Sequence, residues 1–376
     1  MAMTKIPNND LKYMKMAFNL AQRAKGRTSP NPLVGCVIVR AGKVIASGWH
    51  KRCGGDHAEI MALKSADPAR VKGASLYVTL EPCSHFGRTP PCVDQIIKRG
   101  IKEVIVGMKD PNPVNNGKSL LKFKKAGIQV RIGFLEDELK QMNESFIKYI
   151  TQRLPFVVAK CGQTLDGKIA TSQGQSRWIT SKESRDYAHR LRNDFDGILV
   201  GIRTVLNDDP FLNTTAKIRK NINPIKKIII DSRLRLPPAA NLFKNTAPSR
   251  IIVATTRLAS QSKIRQWMRR GIMVLVCPQK RNQVEWRWLL KELAKQEITN
   301  VLIEGGGQTI GGALRAGMVD KMIIFLAPKI MGDESAISSV AGSRIKHVDQ
   351  SVRLRDLTIK KFKEDILIEG YVYRNH

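Results

Sequence analysis

The feature that most constrains the fold is a double alternation of strand-like and helix-like segments, interrupted once at Arg153-Leu154-Pro155. Upstream, apolar residues at helical spacing predict a helix over 11–25. Two strand-like runs follow at 34–39 and 44–49, joined by Ala41-Gly42-Lys43 as a tight hairpin. A helix is predicted over 57–66, then a strand over 75–80, a loop rich in proline and cysteine, and a helix over 93–99. Strand 103–107, helix 119–126, strand 129–132 and a helix over 136–150 complete the first half. The pattern then restarts with a strand at 156–161. A helix over 181–192 opens with Thr180 or Ser181 as its cap and Glu183 in its first turn. Strands at 198–201, 227–231, 251–254, 273–277 and 300–304 lead to a helix over 309–316. Alternation of this kind requires a sheet covered by helices. Two α/β domains are therefore expected, 1–150 and 151–376.

Composition excludes several classes of protein. No stretch approaches the ~18 consecutive apolar residues of a membrane span. The segment from Met1 to Asp10 is polar and lacks the apolar core of a signal peptide, so the expected location is the cytoplasm, with no membrane partner. Six cysteines in 376 residues are too sparse for a disulfide framework. The net charge of +32 is spread over both halves and forms no long basic block. Basic surfaces attract nucleic acid, but they suit a phosphorylated small substrate and cofactor equally well.

Two short segments carry metal chemistry. His57-Ala58-Glu59 stands at a predicted helix start, and Glu81-Pro82-Cys83 is followed, eight residues later, by Cys92. One imidazole and two thiolates are good zinc ligands, and three protein ligands leave a tetrahedral position open for water. Bound zinc makes hydroxide available near neutral pH. Glu59 then projects beside the ligand histidine, where a carboxylate can move protons. H-x-E with Pro-Cys-x-x-Cys is the signature of zinc nucleobase deaminases, and this chain departs from it in the eight residues that separate its two cysteines. Cys36 and Cys53 read as small packing residues.

The eight residues between the cysteines narrow this further. The run Thr79-Leu-Glu-Pro-Cys-Ser-His-Phe-Gly-Arg-Thr-Pro-Pro-Cys92 closely resembles the deaminase half of bacterial bifunctional riboflavin-biosynthesis deaminase/reductases. Pro30-Asn-Pro-Leu-Val-Gly-Cys-Val-Ile-Val39 and Asp110-Pro-Asn-Pro113 match the same family. The resemblance implies a cytidine-deaminase-like three-layer domain followed by a dihydrofolate-reductase-like α/β domain. It also implies hydrolytic loss of the 2-amino group of 2,5-diamino-6-(5-phosphoribosylamino)pyrimidin-4-one. By position, Asn31, His50, Arg88, Asp110 and Asn112 would shape the pocket, with Arg88 and His85 near the phosphate.

The second half has no G-x-G-x-x-G after its first strand. It has Val301-Leu-Ile-Glu-Gly-Gly-Gly-Gln-Thr309, a glycine turn between strand and helix that can admit a pyrophosphate. Thr164-Leu-Asp-Gly-Lys-Ile-Ala170, Ser176-Arg-Trp-Ile-Thr180, Gly201-Ile-Arg-Thr-Val-Leu-Asn-Asp-Asp-Pro210 and Ile230-Asp-Ser232 resemble the reductase half of the family. That likeness implies hydride transfer from NADPH to C1′ of 5-amino-6-(5-phosphoribosylamino)uracil. Gly162, Trp178, Thr204, Asp208, Ser232 and the loop Gly305 to Gly312 (Gly306, Gly307, Gln308, Thr309, Ile310, Gly311 and Gly312 within it) would contact NADPH. Lys160, Ser176, Arg192, Leu212 and Glu304 would contact the substrate, Arg192 through the two-pronged grip of a guanidinium on phosphate.

Two features depart from the family. An arginine that usually follows the Asp-Asp-Pro segment is absent from Leu212-Asn-Thr-Thr215; either Arg219 replaces it or that contact is missing. The glycine loop is one residue longer than the common form. Glu304 and a water both remain open as the acid of the reduction. The family also implies a homo-oligomer, dimer or tetramer. A nucleic-acid deaminase is the competing reading, opposed by the inter-cysteine insertion and an aromatic content of only 6%. A structural zinc site is the third reading, and it would need no Glu59.

Overall fold

The computed structural model describes residues 8–86, 90–214, 224–280, 282–343 and 345–373. The chain divides into two compact units between Arg153 and Leu154.

In chain order the first unit contains α1 (Asn8–Gln22), β1 (Gly35–Arg40), β2 (Lys43–Trp49), α2 (Ala58–Ser65), the single turn α3 (Pro68–Val71) and β3 (Ser75–Leu80). Then come α4 (Cys92–Lys98), β4 (Glu103–Met108), α5 (Lys118–Lys125), β5 (Gln129–Ile132), α6 (Glu136–Met142) and α7 (Glu144–Gln152). Among the described residues the five strands form one sheet in the order β2-β1-β3-β4-β5. Strands β3, β4 and β5 run parallel, and β1 is antiparallel to both its neighbours. Both faces are covered, so alternate residues enter different cores. Cys36, Ile38, Leu76, Val78, Val104 and Val106 pack under α2, α4 and α5. Val37, Val39, Tyr77 and Ile105 pack under Tyr13, Met14 and Ala17 of α1. This three-layer arrangement gives the strands their continuous apolar runs.

The hairpin between β1 and β2 turns on Ala41 and Gly42, both at positive φ, 47° and 72°. That conformation matches the twist of the flanking strands. Helix α2 lies close on β2, where a Cβ on Gly48 would meet the Ala58 carbonyl oxygen at 2.5 Å. The helix expected over 136–150 is instead two helices, α6 and α7, separated at Asn143. The buried Asn143 amide explains the break. Its Oδ1 accepts from Leu33 N at 2.8 Å and its Nδ2 donates to the Leu33 carbonyl at 3.1 Å. This pairing with backbone 110 residues away fixes Asn143 between the two helices.

The second unit contains β6 (Phe156–Gln163), β7 (Lys168–Ala170), α8 (Lys182–Leu191), β8 (Gly197–Gly201), α9 (Ile202–Asp208), β9 (Lys226–Ile230), β10 (Ile251–Thr255), α10 (Gln261–Arg269) and β11 (Met273–Val276). The ribbon β12 (Gln279–Lys280) and β13 (Gln283–Val284) precedes α11 (Trp286–Lys295), β14 (Asn300–Ile303), α12 (Gly307–Arg315), β15 (Lys321–Leu326), β16 (Ile337–Ser338), β17 (Arg353–Phe362) and β18 (Asp365–Tyr373). Nine strands among the described residues form a sheet in the order β11-β10-β9-β8-β14-β6-β15-β18-β17. It is parallel from β11 to β15, and β18 and β17 close it as antiparallel strands. One core lies under α8 and α10, the other under α11 and α12.

Ser181 caps α8 by accepting from Ser184 N at 3.3 Å. Helices α10 and α11 and the last three sheet strands were not expected from the alternation. Their patterns explain why for β17 at least: nearly every residue of it is exposed, so no apolar alternation marks it. Among the described residues no helix is long and apolar enough to cross a membrane.

Candidate active sites

In the first unit three potential ligands converge from separate elements. His57 precedes α2, Cys83 follows β3, and Cys92 opens α4. Their donor atoms all lie within 4.8 Å of one another. His57 Nδ1 stands 3.6 Å from Cys83 Sγ and 3.3 Å from Cys92 Sγ. Ligands held at ~2.0–2.3 Å around a tetrahedral zinc are separated by ~3.3–3.8 Å, so the spacing fits that ion. The electrostatics fit it too. The Cys83 thiol is held well below the usual thiol range, first by the Cys92 thiol and also by His57. Cys92 is pushed up by the adjacent Cys83 sulfur and by burial. Two neighbouring thiolates need a cation between them, and a divalent metal supplies it.

Glu59 is buried beside this group, and burial raises its carboxyl to about 7. A carboxyl poised there can both accept and donate protons near neutral pH. His57, Cys83 and Glu59 open into a cavity of about 290 Å³, whose walls include Asn31, His50, His85, Asp110 and Asn112, while Cys92 stays buried behind it. Asn31 Nδ2 and His50 Nε2 are 3.1 Å apart, and His50 Nδ1 lies 3.0 Å from the Asp56 carbonyl. His85 Nδ1 is buried with no hydrogen-bond partner among the described residues. Arg88 lies outside the described residues. Cys36 is fully buried within β1 and stands apart from the ligand set.

Several supporting residues escaped sequence reasoning. The buried Glu81 carboxylate accepts from the backbone of Asp110, Gly117 and Ser119 and from the Ser119 hydroxyl. Asn115, fully buried, accepts from Ser84 N and Oγ and donates to the Pro82 carbonyl and to Asp110 Oδ2. These two side chains tie the cysteine loop to the Asp110 loop. Phe146, Tyr149 and Ile150 of α7 supply an apolar wall. Asn143 anchors the loop bearing Asn31 through Leu33. The only sequence signal for these residues is Glu81 inside the Glu-Pro-Cys run, because a positioning carboxamide looks like any loop asparagine.

In the second unit the candidate residues gather where the parallel strands end, the usual ligand side of an open α/β sheet. Glu304 directly follows β14. Its carboxylate takes a two-pronged grip from Arg192, 2.6 Å to Nε and 2.8 Å to Nη2, and lies 3.9 Å from Lys160 Nζ of β6. Arg192 Nη1 also donates to the Asn213 carbonyl at 2.9 Å. Ser176 Oγ donates to Asp208 Oδ1 at 3.0 Å, and Arg177 donates to the Asp208 carbonyl. The Arg185 guanidinium covers the Trp178 ring at 4.1 Å. Ser232 follows β9, where Thr256 Oγ1 donates to its carbonyl. Gly162 lies against Thr180, leaving no room for a Cβ.

The glycine loop separates into two parts. Gly305 and Gly306 have φ of 132° and 76°, and a Cβ on Gly306 would stand 3.3 Å from both the Thr204 and Thr309 hydroxyls. Here bare backbone, two hydroxyls and the start of α12 form a cradle suited to an anionic cofactor group. Gly307 and Gly311 instead let α12 touch the Ser338 and Ala341 carbonyls, where a Cβ would lie at 2.1 and 1.9 Å. Ile310 is a core side chain, Gly312 lies against Trp286, and Gln308 is exposed. The side chain of Leu212 is likewise in the core, so any ligand contact it makes is through its backbone. Thr215 and Arg219 lie outside the described residues.

Comparison with known proteins joins the two sites. Residues 155–368 match the RibD C-terminal domain, and residues 7–108 match the cytidine and deoxycytidylate deaminase zinc-binding region. The chain is 43% identical to the riboflavin biosynthesis protein RibD of Aquifex aeolicus, over 96% of this chain and 97% of that one. The chain belongs to the RibD family. RibD of Actinobacillus pleuropneumoniae is 40% identical over 96% of this chain and 95% of its own. The solved Acinetobacter baumannii RibD (form 2) superposes with a TM-score of 0.85 at 33% identity, covering 97% of this chain and 99% of that one. A Thermotoga maritima diaminohydroxyphosphoribosylaminopyrimidine deaminase/5-amino-6-(5-phosphoribosylamino)uracil reductase superposes at 0.83 with 34% identity and the same coverage. As a RibD family member, the chain is a bifunctional riboflavin-biosynthesis enzyme, a zinc-dependent deaminase and an NADPH-dependent reductase.

Proposed function

We propose that the first unit deaminates 2,5-diamino-6-(5-phosphoribosylamino)pyrimidin-4-one and that the second reduces the resulting 5-amino-6-(5-phosphoribosylamino)uracil to its ribitylamino form. The observation that carries this reading is the placement of Glu59 with His57 and Cys83 in the lining of one cavity, Cys92 completing the ligand cluster behind them. Zinc on the three ligands supplies a Lewis acid that makes hydroxide available near neutral pH. Glu59 takes one proton from the attacking water and gives it to the ring nitrogen, then takes the remaining proton from the new hydroxyl and gives it to the departing amine, which leaves as ammonia. Asn31, His50, Asp110 and Asn112 orient the ring, and His85 and Arg88 meet the phosphate.

In the second unit NADPH supplies the hydride delivered to C1′. Thr204, Asp208, Ser232, Trp178 and the Gly305–Gly306 cradle hold this cofactor. Lys160, Ser176 and Arg192 hold the substrate, with Arg192 directed at an anionic oxygen. Burial pushes the Glu304 carboxyl up, but Arg192 and Lys160 outweigh it and hold the group below the usual range. Glu304 is therefore an anion that aims Arg192, and the proton of the reduction comes from water. The acting form is a homo-oligomer in the cytoplasm.

A coupled assay tests this. Purified protein given the diaminopyrimidine should release ammonia and oxidise NADPH in the same cuvette. A chelator should stop ammonia release while supplied deaminated intermediate is still reduced. Absence of both activities from zinc-loaded protein defeats the substrate assignment, and competition by RNA would then favour the nucleic-acid reading.

A further inference from the structure

Strand β9 carries a lysine where its pattern demands an apolar residue. Ile225 and Ile229 point into the core shared by α8 and α10, and Lys227 occupies the alternate position between them on the same face. Its side chain is buried and its ammonium lies among neutral acceptors: the carbonyl of Phe211 at 2.6 Å, Asn213 Oδ1 at 3.1 Å, the carbonyl of Leu242 at 2.8 Å and Thr246 Oγ1 at 2.7 Å. Among the described residues no carboxylate pairs with it, and segment 215–223 contains no Asp or Glu. A buried cation without an anion is costly, and such departures from a local rule concentrate at functional sites.

What the ammonium holds is informative. Two of its four acceptors belong to Phe211 and Asn213, which flank Leu212 at its positive φ of 51°. The Asn213 carbonyl in turn accepts from Arg192 Nη1. We propose that Lys227 is a positioning residue for the reductase: it clamps Phe211–Asn213 to the Leu242–Thr246 loop and so sets the direction of Arg192. The proposal rests on the reading of Arg192 as a substrate ligand.

Burial lowers the Lys227 ammonium to about 8, with Arg192 and Arg250 adding like charge. Among the described residues, those two are the charged groups facing it from neighbouring elements; Asp209 is engaged by Asn241. The clamp is therefore cationic at neutral pH and weakens as pH rises through about 8.

The test uses the full-length, zinc-loaded chain with NADPH and 5-amino-6-(5-phosphoribosylamino)uracil. Lys227→Met should raise KM for the uracil about ten-fold, the loss expected for removing charged hydrogen bonds. It should leave ammonia release unchanged. The wild-type KM should climb between pH 7 and 9, and the variant should lose that climb, which a merely structural lysine would not produce. A variant with wild-type KM and an intact alkaline rise overturns the proposal. Should Lys227→Met fail to fold, Asn213→Ala decides: it removes one clamp acceptor and keeps the carbonyl that meets Arg192. A raised KM supports the clamp, and an unchanged KM overturns it. Arg192→Met, run in parallel, separates the two readings. If it raises KM while Lys227→Met does not, the clamp fails and the Arg192 reading stands. If Arg192→Met leaves KM unchanged, the Arg192 reading itself falls.

Discussion

The two units solve the problem of holding a reacting group in opposite ways. The deaminase site is made of side chains. His57, Cys83 and Cys92 are the proposed metal ligands, and Glu81 and Asn115, with every side-chain polar atom bonded, hold the loops that carry the cysteines. The cofactor cradle of the reductase site is instead largely backbone at a strand end, with Gly305 and Gly306 keeping side chains out, while side chains such as Lys160, Arg192 and Glu304 stand on the substrate side. The difference follows from the ligands. A metal needs particular donor atoms at ~2.0–2.3 Å, whereas a dinucleotide needs an open, anion-tolerant surface that many residue types can provide. Side-chain sites should therefore fail sharply on substitution, and backbone sites should fail gradually.

The largest expected effect is at Glu59. Glu59→Gln should cut ammonia release by about 10²–10⁴-fold, because an amide cannot move the protons. Zinc content by metal analysis and NADPH oxidation on supplied intermediate should be unchanged. Loss of both activities would show that the halves do not function independently. Next is Asn115→Ala, which frees Ser84, Pro82 and Asp110 at once. Outer-shell partners of a metal site are worth about 10–100-fold in affinity. Competition with a chelator should show a loss of that size, and unaltered affinity would remove Asn115 from the zinc support.

Smaller effects are expected in the second unit. Asp208→Ala breaks the bond from Ser176. It should raise KM for NADPH about five-fold, the scale of one hydrogen bond, while ammonia release holds. A drop as steep as that of Glu59→Gln would contradict the contrast between the sites. The smallest effect concerns Asp110, whose carboxyl burial raises to about 6. As pH falls through 6 it takes a proton and loses its charge toward the substrate, so KM for the diaminopyrimidine should rise about three-fold. Its folded form holds the proton more tightly than an unfolded chain would, so acidification costs no stability through this group and the change lies in binding. Asp110→Asn should flatten the profile.

The same contrast explains how legible each site is in the chain. His57, Glu59, Cys83 and Cys92 span 36 residues, and their types announce their chemistry. The clamp residues Asn143 and Lys227 carry no such mark. Nothing in Ile225-Lys-Lys-Ile-Ile229 distinguishes a solvated lysine from one buried among four acceptors. The run Gly305 to Gly312 read as one cofactor loop, yet it contains both a cradle and a helix seam.

By itself the sequence determined the two-part α/β plan, most of the strand and helix alternation and the candidate ligand set. Those depend on local periodicity and on donor chemistry, which residue identity carries directly. The tertiary structure alone decided that the helix over 136–150 breaks at Asn143, that β17 and β18 close the second sheet antiparallel, and that Glu304 is paired with Arg192. Each of these turns on a partner distant in the chain: Leu33 for Asn143, 110 residues away, and Arg192 for Glu304, 112 residues away. Burial and pairing are properties of the packed neighbourhood, and no single stretch of chain contains them.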